Sequence, residues 1–340
     1  MLKRILTFAT DKIYNLPIIV LMPHSRCNCR CVMCDIWKAN SNKKELTVDE
    51  LQKHVNTFRS LGVQEIVFSG GEALMHSNLW ALCDLLRKEN IRLTLLSTGL
   101  LLEKNAELII HYMNNVIISV DGSQSVHDRI RNIPGGYEKI ISGIEALKER
   151  EPEFRVTARC VLQRYNFTDF NNIVRGSRSI GLDQVSFLAA DVSTSAFNHA
   201  TEMTRDRVSE IALSKTETFE FEKIVSDSFA ELKADYDTKF IAESPEKMLK
   251  IIQYYKALNG MASYPRAVCN APWVSAVIES NGDVMPCFFH KPYGNIYSDD
   301  FLSIINSGKA VAFRKKLNTA HDPVCSKCVC SLKLGITQMN

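Results

Sequence analysis

Three thiols, Cys27, Cys31 and Cys34, stand on one short stretch in the spacing Cys-x3-Cys-x2-Cys. Thiolates are soft ligands that hold iron–sulfur clusters or zinc in preference to hard cations. Three of them converging from one loop suit a cluster that keeps one iron free of protein ligands. A closed zinc site needs a fourth ligand nearby, and Cys29 and His24 are at hand, so spacing alone leaves both readings open. A second set lies near the C-terminus: Cys269, Cys287, Cys325 and Cys328, with Cys330 as a substitute for Cys328. Four thiolates saturate one cluster, or equally one structural zinc ribbon. The eight histidines form no spaced metal pair.

Other residues could meet a ligand. Gly70 and Gly71 precede Glu72, and paired glycines let a backbone approach a small molecule where Cβ atoms would prevent it. The bland alternative is an ordinary turn with a solvent carboxylate. Arg159 interrupts the apolar run 155–162, where a charge is unusual. Strand alternation puts Thr157, Arg159 and Val161 on one face and Ala158, Cys160 and Leu162 on the other. Facing inward, Arg159 meets a cofactor carboxylate or a substrate; its alternative is a structural ion pair. Arg131 forks onto a ligand carboxylate or onto a surface acid. Ser97 contacts a ligand or caps a turn.

These residues need positioning elements. Short β-branched runs at 18–22, 65–68, 93–97, 116–120, 155–162 and 184–189 read as strands. Helical patterns near 47–60, 77–89, 103–112, 136–150 and 168–180 alternate with them, and Thr47-x-x-Glu50 is a capping-box signature for the first. Such alternation implies parallel strands with right-handed crossovers. In parallel barrels chemistry sits at the carboxyl ends of the strands. The cysteine loop, Gly70-Gly71-Glu72, Ser97-Thr98-Gly99 and Asp121-Gly122 all follow successive strands. Residues 191–265 read as a polar, helical linker with a solvated face and a helix start at Ser244-Pro245. Beyond 266, Asn281-Gly282 between apolar runs is a hairpin signal.

At 340 residues, 46% hydrophobic and 23% charged, the chain suits one large or two modest soluble domains. A net charge of +3 is too mild to argue for nucleic acid. No apolar run is long enough to insert in a membrane. Cysteines clustered in loops, with no secretory signal, favour ligation in a reducing cytoplasmic compartment over disulfides.

In combination, the three-cysteine loop, Ser69-Gly70-Gly71-Glu72 and Ser119-Val120-Asp121-Gly122 resemble the radical S-adenosylmethionine (SAM) superfamily over about residues 17–190. The resemblance implies an α/β fold, a partial (β/α)6 TIM-like barrel (1–190), then the helical linker (191–265). A small cysteine-rich β-hairpin/helix module (266–340) resembles the twitch form of the SPASM domain in its pattern Cys269-x12-Gly282-x4-Cys287, then Cys325-x2-Cys328. By resemblance, Cys27, Cys31 and Cys34 hold a [4Fe–4S] cluster whose fourth iron chelates SAM, and Cys29 is a bystander. Met33 stands where the family usually has an aromatic residue near the adenine. Gly70, Gly71 and Glu72 meet the methionyl amino group, Ser119 makes a polar contact to SAM, and Asp121 and Arg131 reach its ribose or carboxylate. The C-terminal cysteines imply one auxiliary [4Fe–4S] cluster.

The resemblance further implies reductive cleavage of SAM to a 5′-deoxyadenosyl radical, with electrons from a donor such as flavodoxin or ferredoxin. That radical would abstract hydrogen from a small-molecule substrate, and an auxiliary cluster would take the remaining electron in a dehydrogenation. The cysteine spacing looks most like that of the aminocyclitol alcohol dehydrogenases. The alternatives are a redox-neutral epimerase or dehydratase, a ribosomal-peptide-modifying enzyme, and a zinc-binding scaffold without catalysis. With only 26 residues ahead of Cys27, a leader-binding domain of the kind peptide modifiers often carry is not expected.

Overall fold

Apolar, β-branched runs become the strands of one sheet in the computed structural model, which describes residues 1–198 and 203–338. Six parallel strands follow in order: β1 (Ile18–Leu21), β2 (Glu65–Phe68), β3 (Arg92–Ser97), β4 (Asn115–Ser119), β5 (Val156–Leu162) and β6 (Gln184–Ala189). An N-terminal helix α1 (Leu2–Thr10) precedes them. The crossovers are α2 (Val48–Leu61), α3 (Leu79–Arg87), α4 (Leu102–Tyr112), α5 (Gln124–Arg131), α6 (Gly136–Arg150) and α7 (Phe170–Ser179). Thr47 and Glu50 close the expected capping box on α2. Helix α5 has only eight residues, shorter than the window over which periodicity can be read from sequence.

Alternation sorts the side chains. In β4, Val116 and Ile118 are buried against the helices, while Asn115, Ile117 and Ser119 stay half-buried on the concave face. Register places Ser119 beside Arg159, and Arg159 beside Ser186. In β5, Arg159 and Val161 are half-buried while Ala158, Cys160 and Leu162 are buried, in line with the alternation of the strand.

Two features go beyond these expectations. The strand read as part of a separate C-terminal module, β7 (Ser275–Ile278), lies parallel to β1 and extends the barrel sheet. Strands β8 (Asp283–Met285) and β9 (Gly294–Asn295) then continue the sheet antiparallel, through the hairpin turn at Gly282, where φ is +91°. Long-range pairing on a free strand edge leaves no local sequence signal.

The second concerns 191–265, the segment read as a helical linker, which is helical and also packs into the core. It forms α8 (Arg205–Ile211), α9 (Lys215–Glu231), α10 (Lys233–Asp237) and α11 (Pro245–Leu258). Phe221 and Val225 of α9 pack with Met248, Ile252 and Tyr255 of α11 in the main core. Val185 of β6 donates its amide to the Phe240 carbonyl at 2.7 Å and accepts from Ala242 at 2.9 Å. This segment covers the open edge of the barrel, where an unpaired strand would otherwise expose its backbone.

Helices α12 (Ala271–Val274), α13 (Phe301–Ile305) and α14 (Gly308–Lys316) complete the C-terminal part. The N-terminus ties them down: Asp11 accepts from Trp273 Nε1 at 2.8 Å and from Arg314 Nε at 2.7 Å. Among the described residues, no helix is long and apolar enough to cross a membrane.

Candidate cluster and cofactor site

The cysteine loop leaves β1 and is stitched to its neighbours by polar contacts. Asn40 brackets Cys27, accepting from its amide and donating to its carbonyl, both at 2.9 Å. The Arg26 carbonyl accepts the Glu72 amide at 2.9 Å, and Thr98 Oγ1 lies 3.0 Å from Asn28 Oδ1. Arg207 of α8 forks onto Asp35, just past Cys34, at 2.8 and 2.6 Å. Loops from three strand ends and one later helix thus hold the thiols. Asn40 and Arg207 carry no motif and were not legible in sequence, and Thr98 was placed in the loop after the third strand without a role.

Glu72 is fully buried and turned into the protein. Its Oε2 accepts from Ser97 Oγ, Thr98 N and Thr98 Oγ1 at 2.9, 2.7 and 2.6 Å, and its Oε1 from Leu74 N at 3.1 Å. Burial nonetheless raises its carboxyl above the usual range. Ser97 Oγ also accepts the Gly99 amide at 3.0 Å, so it takes the turn-capping role. Gly70 and Gly71 serve loop-on-loop packing. A Cβ on Gly71 would lie 2.0 Å from the Arg26 oxygen, and one on Gly70 would lie 3.0 Å from the His24 oxygen.

The thiols are electrostatically unequal. Cys29, buried between Cys27 and Cys31, gives hydrogen bonds to both. That bond is the main cause lowering Cys27. Cys31 is pulled down to about 6, first by Cys29 and then, against burial, by the Arg131 charge. Burial pushes Cys34 up to about 12. Cys29 therefore touches two of the three thiols, although it stands outside the family spacing. Met33 packs half-buried against the core.

Arg131 and Asp121 face each other, Arg131 NH2 to Asp121 Oδ2 at 2.5 Å, and Arg131 NH1 lies 3.5 Å from Cys31 Sγ. Ser119 and Arg159 remain on the concave face. Arg159 Nε donates to Ser186 Oγ at 3.4 Å, and no ion pair to it is found among the described residues. It lines a cavity of about 210 Å³ together with Tyr254, Lys250, Arg266, Cys328 and Cys330.

At the C-terminal set, burial pushes Cys287 up to about 11 and Cys325 up to about 12. Cys287, Cys325 and Cys328 each feel the charge of Cys269, and Cys287 and Cys328 also that of Cys330, so the set lies close together. Cys330 is exposed, and its amide donates to Cys328 Sγ at 3.4 Å. His290 Nε2 sits 3.3 Å from Cys325 Sγ, a neighbour that the sequence hinted at only through Cys287-x2-His290.

Zinc holds thiolates near 2.3 Å, hence roughly 3.8 Å from each other. Among the described residues, the one trio of ligand atoms within 4.8 Å is His290, Asp322 and Cys325. No three of the cysteines gather that tightly among the described residues. A polar ligand is also accommodated: His24 Nε2 and Ser25 Oγ are buried without hydrogen-bond partners among the described residues. With Gly70 and Gly71 they line a cavity of about 490 Å³.

Residues 21–175 match the Radical SAM superfamily model, and residues 269–329 match the iron-sulfur cluster-binding domain, SPASM. The chain carries a radical SAM domain and a SPASM domain. The radical SAM domain implies SAM and a [4Fe–4S] cluster, and the SPASM domain implies auxiliary iron–sulfur ligation. The chain is similar to the antilisterial bacteriocin subtilosin biosynthesis protein AlbA of Bacillus subtilis, 26% identical over 83% of this chain and 58% of that protein. It thus spans less than two thirds of that relative. It is also similar to the Fe-coproporphyrin III synthase of Methanosarcina barkeri, 23% identical over 95% of this chain and 82% of that protein. In fold it resembles Streptococcus suis SuiB bound to its precursor peptide SuiA, with a TM-score of 0.66 at 14% identity, covering 96% of this chain and 73% of SuiB. AdoMet-bound anSMEcpe gives a TM-score of 0.66 at 20% identity, covering 91% and 88%.

Proposed function

We propose that this radical SAM/SPASM chain abstracts a hydrogen atom from an organic substrate and dehydrogenates it. The observation that carries the reading is the placement of Arg159. It stands on the concave face beside Ser119 and lines the same cavity as Cys328 and Cys330, so one arginine joins the barrel lumen to the auxiliary cysteines. When bound, the barrel cluster and SAM supply hydrogen-atom abstraction.

The chain's own residues bind and orient. Cys27, Cys31 and Cys34 hold the cluster, with Cys29 supporting two of them. Gly70 and Gly71 bring two loops into contact beside the cofactor cavity, and Glu72 locks that arrangement from behind. Ser119 offers a hydroxyl to SAM at the end of β4, and Arg159 offers a cation to a carboxylate. Cys269, Cys287, Cys325 and Cys328 saturate one auxiliary cluster. The SPASM match ends at residue 329, which favours Cys328 over Cys330. Held by four thiolates, such a cluster would have no open iron and would supply electron acceptance. The external reductant is a flavodoxin- or ferredoxin-type protein.

A second reading, modification of a ribosomally made peptide, is favoured by two relatives: the subtilosin biosynthesis protein and a PqqA peptide cyclase, 26% identical over 52% of this chain.

The test is anaerobic reconstitution followed by metal and product analysis. Iron and acid-labile sulfide for two clusters, with 5′-deoxyadenosine released from SAM and dithionite, is expected. The Cys27→Ala/Cys31→Ala/Cys34→Ala variant is expected to lose 5′-deoxyadenosine formation and keep the C-terminal iron. Zinc alone, or undiminished product from the triple variant, overturns the reading.

A further inference from the structure

We propose that Arg131, oriented by Asp121, is a positioning residue for the barrel cluster that raises its reduction potential by donating to the Cys31 thiolate. The inference rests on the cluster reading above and reassigns Arg131, which the family resemblance placed on SAM.

The backbone comes first. Helix α5 ends at Arg131, and the carbonyls of Ile130 and Arg131 accept the amides of Val32 and Arg30 at 3.0 and 3.2 Å. These bonds bracket Cys31 from both sides, so the end of α5 and the cysteine loop move as one unit. The side chain repeats the contact. Its NH1 lies 3.5 Å from Cys31 Sγ and its NH2 lies 2.5 Å from Asp121 Oδ2, with the two side chains 10% and 0% exposed. In a site this dry, charges act through a low effective dielectric and are screened little by salt.

Asp121 cannot swing away. Its Oδ1 accepts the Val161 amide at 2.9 Å, its amide donates to His127 Nδ1 at 3.2 Å, and its carbonyl accepts from Asn166 Nδ2 at 2.8 Å. The guanidinium is therefore held in one orientation, with NH1 toward the Cys31 sulfur and NH2 on the Asp121 carboxylate. Arg131 Nε is also buried and finds no partner among the described residues, which leaves a further donor for an acceptor that arrives with the cluster.

Hydrogen bonds to cluster sulfur and nearby charge are the protein's main levers on cluster potential. Reduction adds one electron, supplied by the external donor, to a centre already made negative by thiolates. A cation hydrogen-bonded to one ligand stabilises the reduced form more than the oxidised form. Asp121 behind it has the opposite sign and tempers the effect. Removing each partner should thus move the potential in opposite directions, which a merely structural pair would not do.

The experiment is an EPR-monitored redox titration of the reconstituted full chain, following the reduced signal that changes when SAM is added. Arg131→Gln is expected to lower the reduced-to-oxidised ratio at fixed potential about tenfold, ~59 mV for a one-electron couple. Asp121→Asn is expected to shift the ratio upward, and Arg131→Lys to stay nearer the native protein than Arg131→Gln. If Arg131→Gln assembles no cluster, Arg131→Lys and Asp121→Asn decide the matter. Native potentials in every variant that retains the cluster, or shifts of one sign for both partners, overturn the proposal. Absence of any SAM-responsive signal in the native protein removes the cluster reading itself, and this inference with it.

Discussion

Gly71 packs directly on the backbone of Arg26, so closely that a Cβ at position 71 would lie 2.0 Å from the Arg26 carbonyl oxygen and 3.1 Å from the Cys27 Cβ. The second strand's loop thereby supports the first, and the glycine that looks like a cofactor contact in sequence also shapes the cysteine loop. Gly71→Ala is expected to displace residues 26–27 at a cost of roughly 1–3 kcal/mol. The measurement is iron per chain after reconstitution: the barrel share should fall while the C-terminal share stays. Full iron at both sites would show that the loops tolerate the methyl group.

Glu72 answers four donors from one buried position. Glu72→Ala strands the Thr98 amide and is expected to cost about 3 kcal/mol. Glu72→Gln keeps one acceptor oxygen and turns an amide toward Leu74 N or the Thr98 donors, so its cost should be about half as large. Anaerobic chemical denaturation gives the order native, Gln, Ala. Equal midpoints for all three would place the lock elsewhere.

The auxiliary set is expected to matter after hydrogen abstraction. In Cys325→Ala/Cys328→Ala, SAM cleavage should continue while oxidised product disappears, because the substrate radical loses its electron acceptor. Deuterium tracing with labelled substrate reads the outcome, with label retained in 5′-deoxyadenosine. Label returning to product would assign the enzyme to the redox-neutral class.

His127 links pH to stability. It is buried against Tyr137, accepts the Asp121 amide, and is held down to about 3, first by burial and then by the Arg131 charge. The ordinary value is 6.5, so between about 3 and 6.5 the unfolded chain binds a proton that the folded chain refuses. Stability should fall as pH drops through that window, by up to ~1.4 kcal/mol per pH unit from this one group. His24, held down to about 4 mainly by burial, adds to the same slope. Thermal denaturation at pH 7.5 and 5.5 checks the sign, and His127→Gln should flatten the slope. An unchanged slope would mean that another group carries the acid sensitivity.

The cysteine spacing and the alternation of short apolar runs with helical patterns determined by themselves a thiolate loop after the first strand and a parallel α/β arrangement, and left cluster and zinc both open. Each is a local property: thiols four and three residues apart share a loop, and side-chain period distinguishes strand from helix. The side of β5 that carries Arg159 was legible for the same reason. What each polar group touches was decided by tertiary structure. Glu72 and Ser97 turn toward each other, away from the concave face, because loops from β2 and β3 meet there. Arg131 meets Cys31 across 100 residues of sequence, and β7 joins β1 across more than 250. Such pairings depend on which donors, acceptors and strand edges the packed core leaves side by side, and no spacing along the chain encodes them.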